Sequence, residues 1–314
     1  MKKIDFHKAA SFLKDNDRFV IVTHANPDGD TLGSAFALLR ALKKLGKTAK
    51  VVNEKPIPKS FSFIFAESDE FDGDETVIAV DIADRKLMGE IESKYADRTA
   101  LCIDHHPSNT GYAENLLLCP EAAAACEIVF LLIKEMKAEI DAEIATALYT
   151  GISTDTGCFR YSNVTADTHR YAGELIELGA DHVKSDTLMF ETKSMSYFIL
   201  ERMALEKMQV LFDGKAAIIS LTKDMFRESG ADEECANAIK SIPRQIEGVA
   251  IGVTLREGDD GVFHVSVRTN APYDASEICK RFGGGGHARA AGCEFRLGEE
   301  ETKKEIISVL KEYF

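Results

Sequence analysis

The segment THANPDGDTLGS, residues 23–34, places His24, Asp28 and Asp30 within seven positions, directly behind RFVIV, one of the most apolar short runs in the chain. Asp81 closes VIAVD, the triplet Asp104, His105 and His106 follows LCI, and Asp155 lies in TGISTDTG among small residues that allow close backbone approach. Each has an ordinary reading on its own. Asp28 and Asp30 suit a loop and a helix N-cap, Asp81 a cap for a helix starting near Arg85, the two histidines loop carbonyls, and Asp155 a helix end and turn. Their recurrence at the ends of three apolar runs and one adjoining turn points instead to a single site. Carboxylates and imidazoles gathered in a crevice suffer desolvation and mutual repulsion unless a cation lies between them, and a metal ion is the simplest such cation. An oxygen-rich set with imidazole and no thiolate suits Mn²⁺ or Mg²⁺ better than a structural zinc. One Asp, His24 and a second carboxylate can hold one ion; Asp30, His105 and another carboxylate can hold a second. Two ions roughly 3.5–4 Å apart form the clamp of many phosphoester hydrolases.

The elements that must position these residues are legible as a pattern. Residues 18–24, 48–53, 76–83 and 99–106 read as short, apolar, β-branched strands, and 30–46 reads as an amphipathic helix ending at Gly46. Such strands separated by helices predict an α/β fold with a doubly wound, mostly parallel sheet, whose strand carboxyl ends open on one crevice. After Pro120 the spacing turns helical over 121–138, 141–154 and 165–180, and a long helix is predicted over 194–212. Strands at 216–221, 249–257 and 261–269, the last two joined by the turn Gly-Asp-Asp, alternate with helices at 233–242, 274–282 and 301–313. This predicts a smaller α+β domain. The expected division is a catalytic domain over 1–190, a linker helix over 191–212 and a second domain over 213–314, with the active site in the cleft between the two domains.

Composition excludes several classes. A chain of 314 residues is long for one core and predicts two domains. Its seven cysteines are odd in number and scattered without a C-x-x-C pair, which argues against a disulfide framework or thiolate zinc site. No apolar run reaches the roughly 18 residues of a membrane span, and the charged start makes a poor signal peptide, so a cytoplasmic protein with no membrane partner is expected. The formal charge of −14 opposes coating of long nucleic acid. A phosphate ligand should therefore be small or held by a local cation.

Together HANPDGDTLGS, VDIAD, DHHPSNTG and TGISTDTGCFRY resemble the DHH family of phosphoesterases, named for the triplet seen here as Asp104-His105-His106. The later VSVRT and GGGGHARAAG (283–292) resemble the DHH-associated domain. The resemblance implies that His24, Asp28 and Asp81 bind one Mn²⁺ and that Asp30, Asp81, His105 and Asp155 bind the other, with Asp81 bridging. The resemblance also admits Mg²⁺ or Co²⁺ as substitutes. It further implies that Asp104 orients the histidine ligand and that His106 contacts the scissile phosphate; Asp84 has no assigned role beyond a helix cap. Gly283 to Gly286 can adopt positive φ and turn successive N–H groups toward an anion, with His287, Arg289 and Arg268 adding donors. Gly284, Gly285, Gly286, His287, Arg289 and Arg268 are thus the expected substrate-binding residues.

Within the family, the short two-domain chain is most similar to the nanoRNase and pAp phosphatase group. Inorganic pyrophosphatases of the family lack the glycine-rich element, RecJ-type exonucleases are much longer with additional nucleic-acid-binding domains, and membrane-bound cyclic-dinucleotide phosphodiesterases carry transmembrane and sensory regions. The implied activity is exonucleolytic removal of mononucleotides from very short RNA, cleavage of linear dinucleotides such as pGpG or pApA, and dephosphorylation of 3′-phosphoadenosine 5′-phosphate (pAp). A pyrophosphatase or polyphosphatase, and a nucleotide sensor without turnover, are the rival readings. No long duplex partner is expected, and the oligomeric state, a homodimer included, is open.

Overall fold

Phe19–Val22 is buried at all four positions, as a strand covered on both faces must be. The computed structural model describes residues 1–258 and 260–314, and it folds as two compact units, Met1–Thr192 and Lys193–Phe314. The first holds β1 (Lys2–Lys3), β2 (Phe19–Val22), β3 (Ala49–Val52), β4 (Thr76–Val80), β5 (Thr99–Asp104) and β6 (Asn115–Leu118). They pair in the order β1-β6-β5-β4-β2-β3, with every pairing parallel. Alternate residues serve opposite faces. Phe19, Ile21, Ile78 and Val80 enter one core with Leu38, Phe130 and Ile152, while Val20, Val22, Val77 and Ala79 enter another with Met88 and Tyr95. The sheet is doubly wound, and the strand residues are therefore apolar without alternation. Strands β1 and β6 escape a sequence reading because β1 is only two lysines and β6 only four residues.

The helices of this unit that bear on the site are α1 (Phe6–Asp15), α2 (Gly29–Lys44), α3 (Ala125–Met136), α4 (Ala142–Asp155) and α5 (Ala166–Glu177). Close approach of α2 to α4 depends on glycine. A Cβ at Gly33 would lie 2.4 Å from the Ala147 carbonyl oxygen, and one at Gly29 would lie 2.2 Å from Thr154 Oγ1. The absence of side chains there lets Asp30 and Asp155 come together. From β2 the chain passes to β3 on one side and to β4 on the other, so the direction of winding reverses between β2 and β4. Open α/β sheets bind ligands at the carboxyl ends of the strands flanking such a reversal.

The second unit contains β7 (Gln209–Leu211), β8 (Ala216–Leu221), β9 (Ile251–Glu257), β10 (Phe263–Thr269), β11 (Gly285–His287) and β12 (Ala290–Phe295). Their order is β11-β12-β10-β9-β8-β7, antiparallel except for β8 against β9. The helix predicted over 194–212 is shorter: α6 runs Met195–Glu206, and Gln209–Leu211 joins the sheet beside β8. Phe212, Asp213 and Gly214 all take positive φ and reverse the chain, giving residues 209–211 a strand partner that overrides helical spacing. The Asp213-Gly214 pair is the local signal for that hairpin. The predicted turn over 258–260 includes Asp259, which lies outside the described residues. No helix among the described residues is long and apolar enough to cross a membrane.

Candidate metal centre

The sequence-predicted ligands of the first unit converge at the winding reversal. His24 follows β2 by two residues, and its Nε2 lies 3.6 Å from Asp28 Oδ1 and 3.6 Å from Asp81 Oδ2. Asp28 is also the N-cap of α2, accepting from the backbone N–H groups of Asp30 and Thr31 at 3.1 Å each. The ordinary reading of Asp28 as a cap and its place beside His24 are thus both true. Asp30, in the first turn of α2, is buried, and its two oxygens accept from the N–H groups of Ala125 (2.6 Å) and Cys126 (2.8 Å). Its carboxylate caps the positive end of α3, which is why the alanine run before Ala125 stays outside the helix.

Asp81 is the centre of the arrangement. It directly follows β4 with φ of 59°, a left-handed conformation that costs a non-glycine residue about 1–3 kcal/mol and concentrates at functional sites. The residue is 4% exposed, and its Oδ1 accepts no hydrogen bond among the described residues. That oxygen lies 3.5 Å from His105 Nε2 and 3.6 Å from His106 Nδ1. His105 Nε2 also faces Asp30 Oδ2 and Asp155 Oδ2, each at 3.8 Å, while its Nδ1 meets the Ala122 carbonyl at 3.2 Å. Three triads, His24-Asp28-Asp81, Asp30-His105-Asp155 and Asp81-His105-His106, each bring their ligand atoms within 4.8 Å of one another. An unpartnered buried carboxylate oxygen amid further carboxylates and imidazoles is a donor set that divalent cations satisfy.

Asp104 holds a different ring from the one expected. Its Oδ1 pairs with His106 Nδ1 at 2.8 Å, whereas it reaches His105 through the backbone N–H alone, at 2.9 Å. The ring of His105 is set by Ala122. Asn109 Nδ2 donates to the other oxygen of Asp104 at 2.6 Å. Asp84 accepts from Lys86 N at 2.9 Å and caps the short helical segment that follows.

The charges of this cluster are strained. Burial works against imidazolium at His24 and His105, but the facing carboxylates outweigh it and push both up to about 10. Burial, with Asp81 and Asp155 behind it, drives Asp30 well above the ordinary carboxylate range. Asp155 is pushed up to about 6, chiefly by burial. The hydrogen bond that His106 donates to Asp104 raises His106. Too many acids share too little space, and the imidazoles hold protons to offset them.

In the second unit, the expected nest of four glycine N–H groups does not form. Gly283 and Gly286 take positive φ, but the N–H groups of Gly283 and Gly284 donate to Lys280 O (3.1 Å) and Cys279 O (3.0 Å). Gly285–His287 is then the edge strand β11 against β12. Gly284 and Gly286 serve close packing, since a Cβ at Gly284 would lie 2.2 Å from the Gly292 carbonyl oxygen and one at Gly286 2.6 Å from that of Ala290. His287 is exposed on this edge, Arg289 Nη1 donates to the Tyr273 carbonyl at 2.6 Å, and Arg268 lies on β10 opposite Ala290.

Comparison with known proteins covers both units. Residues 18–152 match the N-terminal domain of the DHH family, and residues 214–314 match the DHHA1 domain. The bifunctional oligoribonuclease and PAP phosphatase NrnA of Thermus thermophilus is 33% identical over 93% of this chain and 89% of its own. The probable enzyme of the same description from Streptococcus mutans is 29% identical over 95% and 97%. A crystal structure of an exopolyphosphatase-related protein from Bacteroides fragilis superposes with a TM-score of 0.86 at 26% identity, covering 98% of this chain and 96% of that one.

Proposed function

Because the chain belongs to the DHH family and is a phosphoester hydrolase, we propose that it uses two Mn²⁺ ions to release mononucleotides from very short RNA and linear dinucleotides, and to convert pAp to AMP. The observation that carries this reading is the Asp81 carboxylate, buried, without a hydrogen bond at Oδ1, and facing His24 through one oxygen and His105 and His106 through the other. His24, Asp28 and Asp81 would hold one ion; Asp30, Asp81, His105 and Asp155 the other. When bound, such a pair supplies a hydroxide nucleophile at neutral pH and offsets charge on the phosphoryl oxygens.

The remaining work falls to the chain's own groups. Asp104 accepts from His106 Nδ1, fixes the ring and favours its protonated form, in which Nε2–H is the donor offered to the scissile phosphate and its leaving oxygen. Substrate length would be read by the second unit, where His287 and Arg289, with Arg268, hold the nucleotide end remote from the metals, while Gly284, Gly285 and Gly286 keep that edge narrow. This reading draws support from the relatives named oligoribonuclease and PAP phosphatase.

The test is a panel of 5′-labelled di- to decanucleotides, pGpG and pAp, assayed with Mn²⁺ and after chelation. Metal-dependent turnover of oligomers of two to five residues, or of pAp, in preference to longer strands is expected. Pyrophosphate and polyphosphate belong in the panel because of the exopolyphosphatase-related structure. Phosphate release from them in preference to the nucleotides would replace the reading, and absence of any turnover would favour a sensor.

A further inference from the structure

Asp30, His105 and Asp155 arrive from three different elements, yet one short stretch of main chain is tied to all of them. The Ala122 carbonyl orients His105, and the N–H groups of Ala125 and Cys126 hold the Asp30 carboxylate. Asn163 Nδ2 donates to the Ala123 carbonyl at 3.0 Å and to the Asp155 carbonyl at 3.2 Å, joining this stretch to the end of α4. Ala123 N in turn donates to Glu127 Oε2 at 3.2 Å. Alanine side chains cannot set the register of a segment against polar ligands. Its position comes from the two side chains that grip Ala123 from either side.

We infer that Asn163 and Glu127 are positioning residues for the Asp30-His105-Asp155 ligand set, acting through the backbone of Ala122–Cys126. Neither side chain is a ligand in the arrangement proposed above, on which this inference rests. A second observation sets them apart from ordinary scaffold groups. Asn163 Oδ1 and Glu127 Oε1 are both buried without a hydrogen-bond partner among the described residues. Such unpaired acceptors cost stability and are uncommon in folded proteins. Each residue thus spends one polar atom on Ala123 and leaves the other unsatisfied, as expected where placement of a ligand outweighs stability. Outer partners of this kind typically alter metal affinity by roughly 10–100-fold when removed.

The experiment titrates metal-free protein with Mn²⁺, following bound ions by calorimetry and the spin-coupled signal of an ion pair by electron paramagnetic resonance. Wild type is expected to take up two ions. Asn163→Ala and Glu127→Ala should bind one ion normally and the other roughly 10–100-fold more weakly, with the coupled signal lost at stoichiometric metal. Glu127→Gln, which keeps an oxygen acceptor for Ala123 N, should restore the affinity. Two ions bound with unchanged affinity by both alanine variants would overturn the inference while leaving the two-ion site intact. A wild-type chain that binds no ion would remove both readings together. Should Asn163→Ala fail to fold, the Glu127 pair decides alone, and equal affinity in its Ala and Gln forms counts against the inference.

Discussion

Asp104 Oδ1 sits 2.8 Å from His106 Nδ1 and makes that ring, rather than the ring of its neighbour His105, the one the buried carboxylate controls. The hydrogen bond donated to Asp104 raises the imidazole above its ordinary value, against the opposing effect of burial. A raised value means that the protonated form persists to higher pH than in a free imidazole. Asp104→Asn removes the negative charge, so the alkaline limb of the kcat profile should move to lower pH and turnover at pH 8 should fall roughly 10²–10⁴-fold. An unshifted profile would mean that His106 is not the acid.

Asp81 and Asp84 lie three positions apart with unlike fates. Asp81→Ala removes the carboxylate shared by the two proposed ions and should cost at least roughly a thousandfold in turnover, about 4 kcal/mol of barrier. Asp84→Ala removes a cap that accepts from Lys86 N, and should cost about 0.5–2 kcal/mol of stability with kcat nearly unchanged. Similar losses of kcat in both would show that the shared ligand is misassigned.

Metal uptake should be linked to protons. His24 and His105 stand at about 10 in the metal-free chain, so each carries a proton at pH 7, and coordination requires the neutral ring. Ion binding must expel those protons, and affinity should therefore fall as pH falls. Calorimetry in buffers of different ionisation heat measures the release directly; no release near pH 7 would contradict the assignment. Chelation should abolish turnover, and Mn²⁺ at a hundred times its Kd should raise folding stability by about 2.7 kcal/mol.

His287→Ala should weaken turnover of a dinucleotide or pAp roughly ten- to a thousandfold, since a charge-assisted phosphate contact contributes about 1.5–3 kcal/mol and also orients substrate. The same variant should leave bis-p-nitrophenyl phosphate almost untouched, because that compound has no nucleotide to anchor. Equal loss on both substrates would assign the β11 edge to folding or to the metal site.

Gly33→Ala tests the approach of α2 to α4. The added methyl would lie 2.4 Å from a main-chain oxygen, so one helix must move. A loss of about 1–3 kcal/mol in folding stability, read by denaturant titration, is expected. Weaker uptake of the ion assigned to Asp30 and Asp155 should accompany it, and unchanged stability would mean that the two helices have room to spare.

The proposed ligands of the first unit are legible in the chain because parallel strands buried on both faces must be apolar throughout, and polar residues at their carboxyl ends stand out against them. His24, Asp81 and the Asp104-His105-His106 triplet are visible for that reason, and Asp155 because small residues surround it. Alternation of strands and helices likewise identifies a doubly wound sheet. Tertiary structure alone decided which ring Asp104 grips, since His105 and His106 are adjacent and only the Ala122 carbonyl, brought in from beyond β6, distinguishes them. It decided that residues 209–211 leave the helix, because β8 offers their main chain a partner that local spacing cannot register. It also placed Gly285 and Gly286 in an edge strand and committed the N–H groups of Gly283 and Gly284 to the Lys280 and Cys279 carbonyls, where they cannot face a ligand. Local sequence sets which groups are polar and where strands end, whereas hydrogen bonds between distant segments are chosen only when the chain closes on itself.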